Sequence, residues 1–281
     1  MKIAYSGIEG SFAQIAAWRI APDSESVPYR TFAQAYRAVE EGACDMAVLP
    51  IENSYAGEVG TVSDLLFHGS LLVSGVYELP VSHCLLGVPG STRDTVKTVI
   101  SHPQALEQCD SYLSANGLAR LPHENTARAA KEVASRGDVT VGAIASAETA
   151  ELYGLIVLER YINDQVDNTT RFALLERGER TMHTEEEEPV CSILLFTVRD
   201  GAGTLARALS VLADFGYNMR VIRSRPLKNK SWAYYFYTEV DGNLFSEKGE
   251  RMLSGLSYEC GEMKVAGTFI PGKSLKTERE S

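Results

Sequence analysis

The sequence predicts an α/β protein: a two-lobed domain followed by a small βαββαβ module. Three observations carry that expectation. Short apolar strands alternate with helical periodicity through residues 1–75, the pattern of a mostly parallel sheet flanked by helices. Polar clusters recur where those strands end, which is where open α/β sheets bind ligands. An acidic run, Glu185 to Glu188, then meets Pro189; it reads as a solvated linker that cannot continue a helix, and a different element order follows it.

Composition excludes several functions before any motif is considered. The 281 residues suffice for a two-lobed domain plus a small one, and 44% hydrophobic with 23% charged residues is ordinary for a globular chain. With 27 Lys+Arg against 37 Asp+Glu the formal charge is −10. That balance argues against nucleic acid as a partner, which needs clustered cations. Cys44, Cys84, Cys109, Cys191 and Cys260 are scattered without short paired spacing, so reduced thiols are expected and no metal site. Met1 to Ser6 looks like a first strand, and no run approaches the ~20 apolar residues of a membrane span. A cytoplasmic location without membrane contact is the expectation.

In order, Ile3–Ser6 is a strand running into Gly7, and Ser11 is a fitting N-cap for a helix through Phe12 and Ile15. Backbone N–H groups at such a helix start favour anions. The glycines at 7 and 10 lack the three-glycine spacing of a dinucleotide fold. A helix over Thr31–Glu41 precedes a buried strand, Asp45–Pro50, which empties into Ile51-Glu52-Asn53-Ser54; a helix from Thr61 to His68 stops at Gly69. From Leu71 a long β segment is expected to cross into a second lobe at about residue 76. There Val96–Ile100 leads to Ser101-His102-Pro103-Gln104 and a helix over Ala105–Ala115, with Ser101 most simply a cap and Gln108 facing either solvent or the cleft. Asn125-Thr126 opens another helix, Val139–Ile144 is a strand, and Leu155–Tyr161 should return the chain to the first lobe.

That return places Asn168-Thr169-Thr170-Arg171-Phe172 at the hinge. An extended chain sends Thr169 and Thr170 to opposite faces, so one hydroxyl should share a pocket with neighbouring donors. Arg171 offers a planar fork suited to a carboxylate. Beyond Pro189, strands at Cys191–Val198, Asn218–Ser224, Ala233–Val240 and Glu262–Ile270, with helices at Thr204–Phe215 and Leu244–Ser254, give the split βαβ order. The tail from Lys273 reads as polar and frayed.

Together, Gly7-Ile8-Glu9-Gly10-Ser11-Phe12, Pro50-Ile51-Glu52-Asn53-Ser54 with Gly57 and Asp64-Leu65-Leu66, Ser101-His102-Pro103-Gln104-Ala105-Leu106 with Gln108-Cys109, Asn125-Thr126-Ala127, and Asn168-Thr169-Thr170-Arg171-Phe172 match, in order, the motifs of another family. The chain resembles prephenate dehydratases over nearly its whole length. The resemblance implies a two-lobed, periplasmic-binding-protein-like catalytic domain over residues 1–184, with lobe one at 1–75 and 162–184 and lobe two at 76–161. It further implies a ferredoxin-like ACT regulatory domain over 190–272. The implied reaction converts prephenate to phenylpyruvate, carbon dioxide and water in phenylalanine biosynthesis, without a cofactor.

By motif, Thr170 is expected at the leaving hydroxyl and Arg171 at a substrate carboxylate, with Asn53 and Ser101 completing the catalytic set. Ser11, Glu52, Ser54, Gln108, Asn125, Thr126 and Phe172 are expected to touch substrate, and Glu52 and His102 are rival acids. Ala202, Gly203, Thr204, Leu205, Asn218, Arg223 and Ser224 should line a phenylalanine site in a homodimer or homotetramer. Two departures stand in that module: Asp200-Gly201-Ala202-Gly203-Thr204-Leu205 replaces a Pro-Gly-Ala-Leu loop, and Arg223-Ser224-Arg225-Pro226 replaces Glu-Ser-Arg-Pro. The second reverses a charge and should weaken phenylalanine binding. Arogenate dehydratase, or a sensor without turnover, are the competing functions.

Overall fold

The computed structural model describes residues 1–165, 167–178, 189–228 and 232–275; the acidic run at 185–188 lies outside them. Lobe one is built from β1 (Lys2–Ser6), α1 (Phe12–Ile20), β2 (Glu25–Tyr29), α2 (Phe32–Glu40), β3 (Met46–Asn53), the short β4 (Gly57–Glu58) and α3 (Gly60–His68), followed by β5 (Leu72–Pro80). Caps account for the helix starts: Gln14 N–H donates to Ser11 and Gln34 N–H to Thr31. Each such cap stabilises its helix by ~1 kcal/mol. The strand expected to end at Pro50 runs on to Asn53, because residues 46–53 pair with the returning strand on one side.

Lobe two holds β6 (Cys84–Gly87), β7 (Thr98–Ser101), α4 (Pro103–Gln108), α5 (Asp110–Ala115), β8 (Ala119–Pro122), α6 (Thr126–Arg136), β9 (Val141–Ala145), α7 (Ala147–Tyr153) and β10 (Ile156–Glu159). Its five-stranded sheet has the order β10-β6-β9-β7-β8. The crossing between lobes differs from the expectation at residue 76. All of β5 to Pro80 belongs to the first sheet, so the chain passes over at 81–83. Likewise β10 still pairs with β6, and only β11 (Thr169–Glu176) re-enters lobe one, between β3 and β5.

The C-terminal module contains β12 (Cys191–Val198), α8 (Thr204–Asp214), β13 (Met219–Pro226), β14 (Tyr234–Asp241), α9 (Glu247–Leu256) and β15 (Cys260–Phe269), with β16 (Lys273–Ser274) after it. Its sheet is not separate. At Gly267↔Val73 β15 joins β5 in parallel, so one eleven-stranded sheet runs through lobe one and the module. A Cβ on Gly267 would lie 2.1 Å from the Val73 carbonyl oxygen, and only glycine permits that approach. The apolar core is shared too: Tyr36, Leu49 and Leu66 of lobe one cluster with Ile193, Leu195 and Phe269, and Phe67 stacks on Tyr235 at 4.5 Å. Contrary to the frayed tail expected from Lys273, β16 pairs with β5, and Arg19 donates to the Leu275 carbonyl at 2.6 Å.

Candidate active site

A cavity of about 320 Å³ opens between the lobes, lined from lobe one by Phe12, Asn53, Glu58 and Thr170 and from lobe two by His102, Gln108, Asn125 and Thr126. Asn53, Thr170, Gln108, Asn125 and Thr126, separated widely in sequence, therefore meet in one concavity.

The polarity of this wall follows from two backbone groups. Tyr55 N–H and Ala56 N–H donate to Asn53 Oδ1 at 3.1 and 2.9 Å, so the Asn53 oxygen is fixed as an acceptor and Nδ2 as a donor. That Nδ2 donates to Asn168 Oδ1 (2.8 Å), Thr170 Oγ1 (3.0 Å) and the Thr169 carbonyl (3.2 Å). Asn168 is thereby fixed in turn, and its Nδ2 donates to Gln108 Oε1 at 3.1 Å. The Thr170 oxygen receives a hydrogen bond, which leaves its own O–H free to donate into the cavity. The Gln108 Nε2 group, buried, has no hydrogen-bond partner.

Asn125 caps α6, accepting from Ala127 N–H and Arg128 N–H at 2.8 and 3.3 Å. The positive end of that eleven-residue helix therefore sits at the cavity wall, where it favours a carboxylate. His102 caps α4 by accepting from Gln104 N–H through Nδ1 at 3.2 Å, and burial holds its pKa below the usual histidine range. A neutral ring that accepts at Nδ1 carries its proton on Nε2.

Several expected site residues face elsewhere. Arg171, next to Thr170 on a strand, points to the opposite side of the sheet, as strand alternation demands. There it donates to Glu52 at 3.0 Å and, through both Nη atoms, to Glu239 of β14 at 3.0 and 2.9 Å. Glu52 also receives Arg223 of β13, whose guanidinium lies 5.7 Å from the Tyr237 ring centre, and Tyr237 donates to Glu239 at 2.7 Å. Two arginines and two glutamates thus form a neutral cluster between lobe one and the module. Burial works against the Arg171 charge, but Glu239, with Tyr237 and Glu52, holds its pKa above the ordinary value. Neither Arg171 nor Glu52 lines the cavity, and the expected repulsion by Arg223 meets a residue already neutralised by Glu52.

Ser101 is fully buried and donates to the Ile144 carbonyl at 2.7 Å, tying β7 to β9 instead of facing ligand. Ser11 is a helix cap, and Ser54 bridges β3 to the strand opposite by accepting from Thr169 N–H at 2.9 Å. Phe172 packs in the lobe-one core with Ile3 and Tyr5. In the module Gly203 is the left-handed N-cap of α8, where Thr204 donates to the Gly201 carbonyl. Ala202 is exposed and Leu205 half-buried there; Asn218 donates to Asp241, and Ser224 faces outward on edge strand β13.

Among the cavity residues outside the motifs are Glu58, Val59 and His83. Glu58 accepts from Ser63 Oγ and lies 3.7 Å from Arg225 of β13. Val59 supplies apolar wall, and His83 sits on the crossing segment. His83 is 2% exposed, its ring meets Phe12 edge-on at 5.8 Å, and Nε2 is 2.9 Å from Gln108 Oε1. Burial, partly opposed by the Gln108 hydrogen bond, pushes its pKa down to about 4.

This has a stability consequence with a definite sign. Between pH 6.5 and about 4 the unfolded chain carries a proton on this histidine that the folded one does not. Stability from this group is therefore complete above pH 6.5 and falls as the pH drops, by roughly 3 kcal/mol in all. Thermal melts at pH 7 and pH 4.5 should show a smaller acid loss for His83→Gln than for the wild-type chain; equal losses would refute the assignment.

A two-lobed α/β cleft with amide and hydroxyl donors and a helix N-terminus on its walls is the kind of site that suits a small acid, and a C-terminal βαββαβ module packs on one of its lobes. Comparison with known proteins gives the particular family. The family model described as prephenate dehydratase matches residues 3–180, and that described as ACT domain matches residues 192–244. The chain is 36% identical to arogenate dehydratase/prephenate dehydratase 1, chloroplastic, of Arabidopsis thaliana, over 96% of this chain and 72% of that protein. Among solved structures, a prephenate dehydratase in complex with L-Phe from Arthrobacter aurescens superposes with a TM-score of 0.87 at 26% identity, covering 96% of this chain and 90% of that one. Another, described as GqqA, a novel type of quorum quenching acylases, superposes at 0.88 with 33% identity, covering 97% and 98%. The chain belongs to the prephenate dehydratase family and carries a C-terminal ACT domain.

Proposed function

We propose that the chain converts prephenate to phenylpyruvate. The observation that carries this is the orientation of the cleft wall: a threonine hydroxyl and an amide nitrogen, both free to donate, beside a helix N-terminus. In the reaction the ring carboxylate leaves as carbon dioxide, its bonding electrons enter the ring, and the ring hydroxyl departs with a proton as water. Thr170 donates to that departing oxygen, and Gln108 Nε2 and the start of α6 hold carboxylate oxygens. With Arg171 committed to Glu239, carboxylate binding falls to neutral donors and the helix dipole. A threonine is too weak an acid to be the ultimate proton source, so Thr170 stabilises charge on the leaving oxygen and the proton comes through it from the cavity.

An acylase-type reaction needs a nucleophile hydrogen-bonded to a base. Among the described residues the Thr170 hydroxyl on the cavity wall bonds to the Asn53 amide and to no base, and the hydroxyl that does meet a carboxylate, Ser63 on Glu58, is buried outside the lining. That favours elimination over acyl transfer. The deciding assay measures kcat/KM for prephenate and for arogenate with purified protein; a preference for arogenate would replace prephenate as the substrate.

Phenylalanine is the proposed effector, acting on a homodimer or homotetramer in the cytoplasm and depressing activity by binding one state better than the other. Calorimetry should register heat when phenylalanine is titrated to millimolar concentration, and a flat titration would remove phenylalanine from the scheme. The Arg223 contact with Glu52 keeps that cation out of the effector's way, so binding should survive the charge reversal.

A further inference from the structure

We infer that His83 is a positioning residue, whose ring N–H turns the Gln108 amide so that its NH₂ faces the bound acid; this rests on the cleft being the dehydratase site. The bond is 2.9 Å between His83 Nε2 and Gln108 Oε1, and both residues line the cavity. Hydrogen positions follow without being assumed. The backbone N–H groups of Tyr55 and Ala56 fix Asn53, Asn53 fixes Asn168, and Asn168 presents a donor to Gln108. The Gln108 atom facing Asn168 and His83 is therefore the carbonyl oxygen, and the His83 nitrogen that meets it must carry the hydrogen. Its ring is then the Nε2–H tautomer, with Nδ1 buried and unpartnered. Two donors on one oxygen hold the amide plane, where a single one leaves a pivot. The Nε2 of Gln108 is then the unspent donor of this network, buried and without a hydrogen-bond partner in the protein, and in this inference it is the group presented to the acid.

The placement of His83 gives this contact a second property. His83 N–H donates to Asn163 Oδ1 at 2.6 Å, Asn163 Nδ2 donates to the Val81 carbonyl at 3.0 Å, and Ile162 N–H donates to the His83 carbonyl at 3.0 Å. The two segments that cross between the lobes are thus laced together at this residue. The ring reaches from the hinge to a lobe-two helix, so the amide is aimed by the hinge and not by α4 alone.

Two substitutions separate the hydrogen bond from the ring. His83→Phe keeps the flat ring against Phe12 and loses the donor, whereas His83→Gln loses the ring and places an amide N–H near the position of Nε2. We expect His83→Phe to lower kcat/KM for prephenate by about 10- to 100-fold and His83→Gln to recover most of it. The pH-rate profile should keep its shape in the Gln variant, because an acid or base role is not served by an amide. In a Gln108→Ala background His83→Phe should add little further loss, since its effect runs through Gln108. Full activity in His83→Phe, equal losses in both variants, or additive losses in the Gln108→Ala background would overturn the inference. If the wild-type protein turns over neither prephenate nor arogenate, the dehydratase assignment fails first. Melting temperatures measured alongside show whether His83→Phe is folded; if it is not, the comparison of His83→Gln with wild type, alone and in the Gln108→Ala background, decides the same point.

Discussion

Thr170→Ala is expected to lower kcat by about 10²-fold or more while KM moves little, the pattern of a donor used in the transition state. The hydroxyl oxygen is already hydrogen-bonded by a fixed amide, Asn53 Nδ2 at 3.0 Å, which leaves its O–H to donate to ligand. Removing it leaves Asn53 with Asn168 and the Thr169 carbonyl as partners, and the fold should persist. Thr170→Ser keeps the O–H on a freer side chain and should fall between the two. Steady-state kinetics with prephenate supply the check: a kcat equal to wild type in Thr170→Ala would place the leaving-group donor on another residue, with Glu58, His83 and His102 as the titratable groups among the described residues that share the cavity.

Arg171→Ala should act on stability first. Glu239 has 3% of its side chain exposed and receives both Nη atoms of Arg171. Deleting the arginine strands a buried carboxylate, which costs about 3–5 kcal/mol and lowers the melting temperature by ~10 °C for a chain of this size. A second change, Glu239→Gln, should restore much of the loss by removing the orphaned charge. Calorimetric melting of the single and double variants tests this. The expectation drawn from motif position, that Arg171 holds a substrate carboxylate, makes a different demand: a raised KM in a protein that melts normally. That outcome would require Arg171 to leave Glu239 when substrate binds.

The contrast between Thr170 and Arg171 marks where sequence stops informing. Alternation along a strand tells a reader that neighbours face opposite ways; it does not say which face is the cleft. Phe172 lies on the same face as Thr170, two residues further along β11, and packs there with Ile3, Tyr5 and Leu174 in the core beneath the cleft. The α/β order, the two lobes and the module were legible because each rests on local periodicity. β2 and β8 were not, since the first contains Pro28 and the second is exposed throughout. Asn53, Asn125 and Thr126, which line the cavity, stand at a strand exit and a helix start, and Gln108 is named through the motif alone. Ser101 sits at such a position as well and yet spends its hydroxyl on Ile144, a contact between residues 43 positions apart that no local pattern announces. His83 belongs to none of the motifs, and its partners come from the hinge and from α4.

The joint at Gly267 and Val73 changes what the word domain means for this chain. Two family descriptions divide it at residues 180 and 192, but the strand ladder and the apolar cluster cross that division. The ladder and core are shared between the two parts, so a single cooperative transition is expected when the chain is melted. An effector that stiffens the C-terminal part therefore lends rigidity directly to β5 and, one strand further, to β11, and the tether between the parts need carry none of the signal.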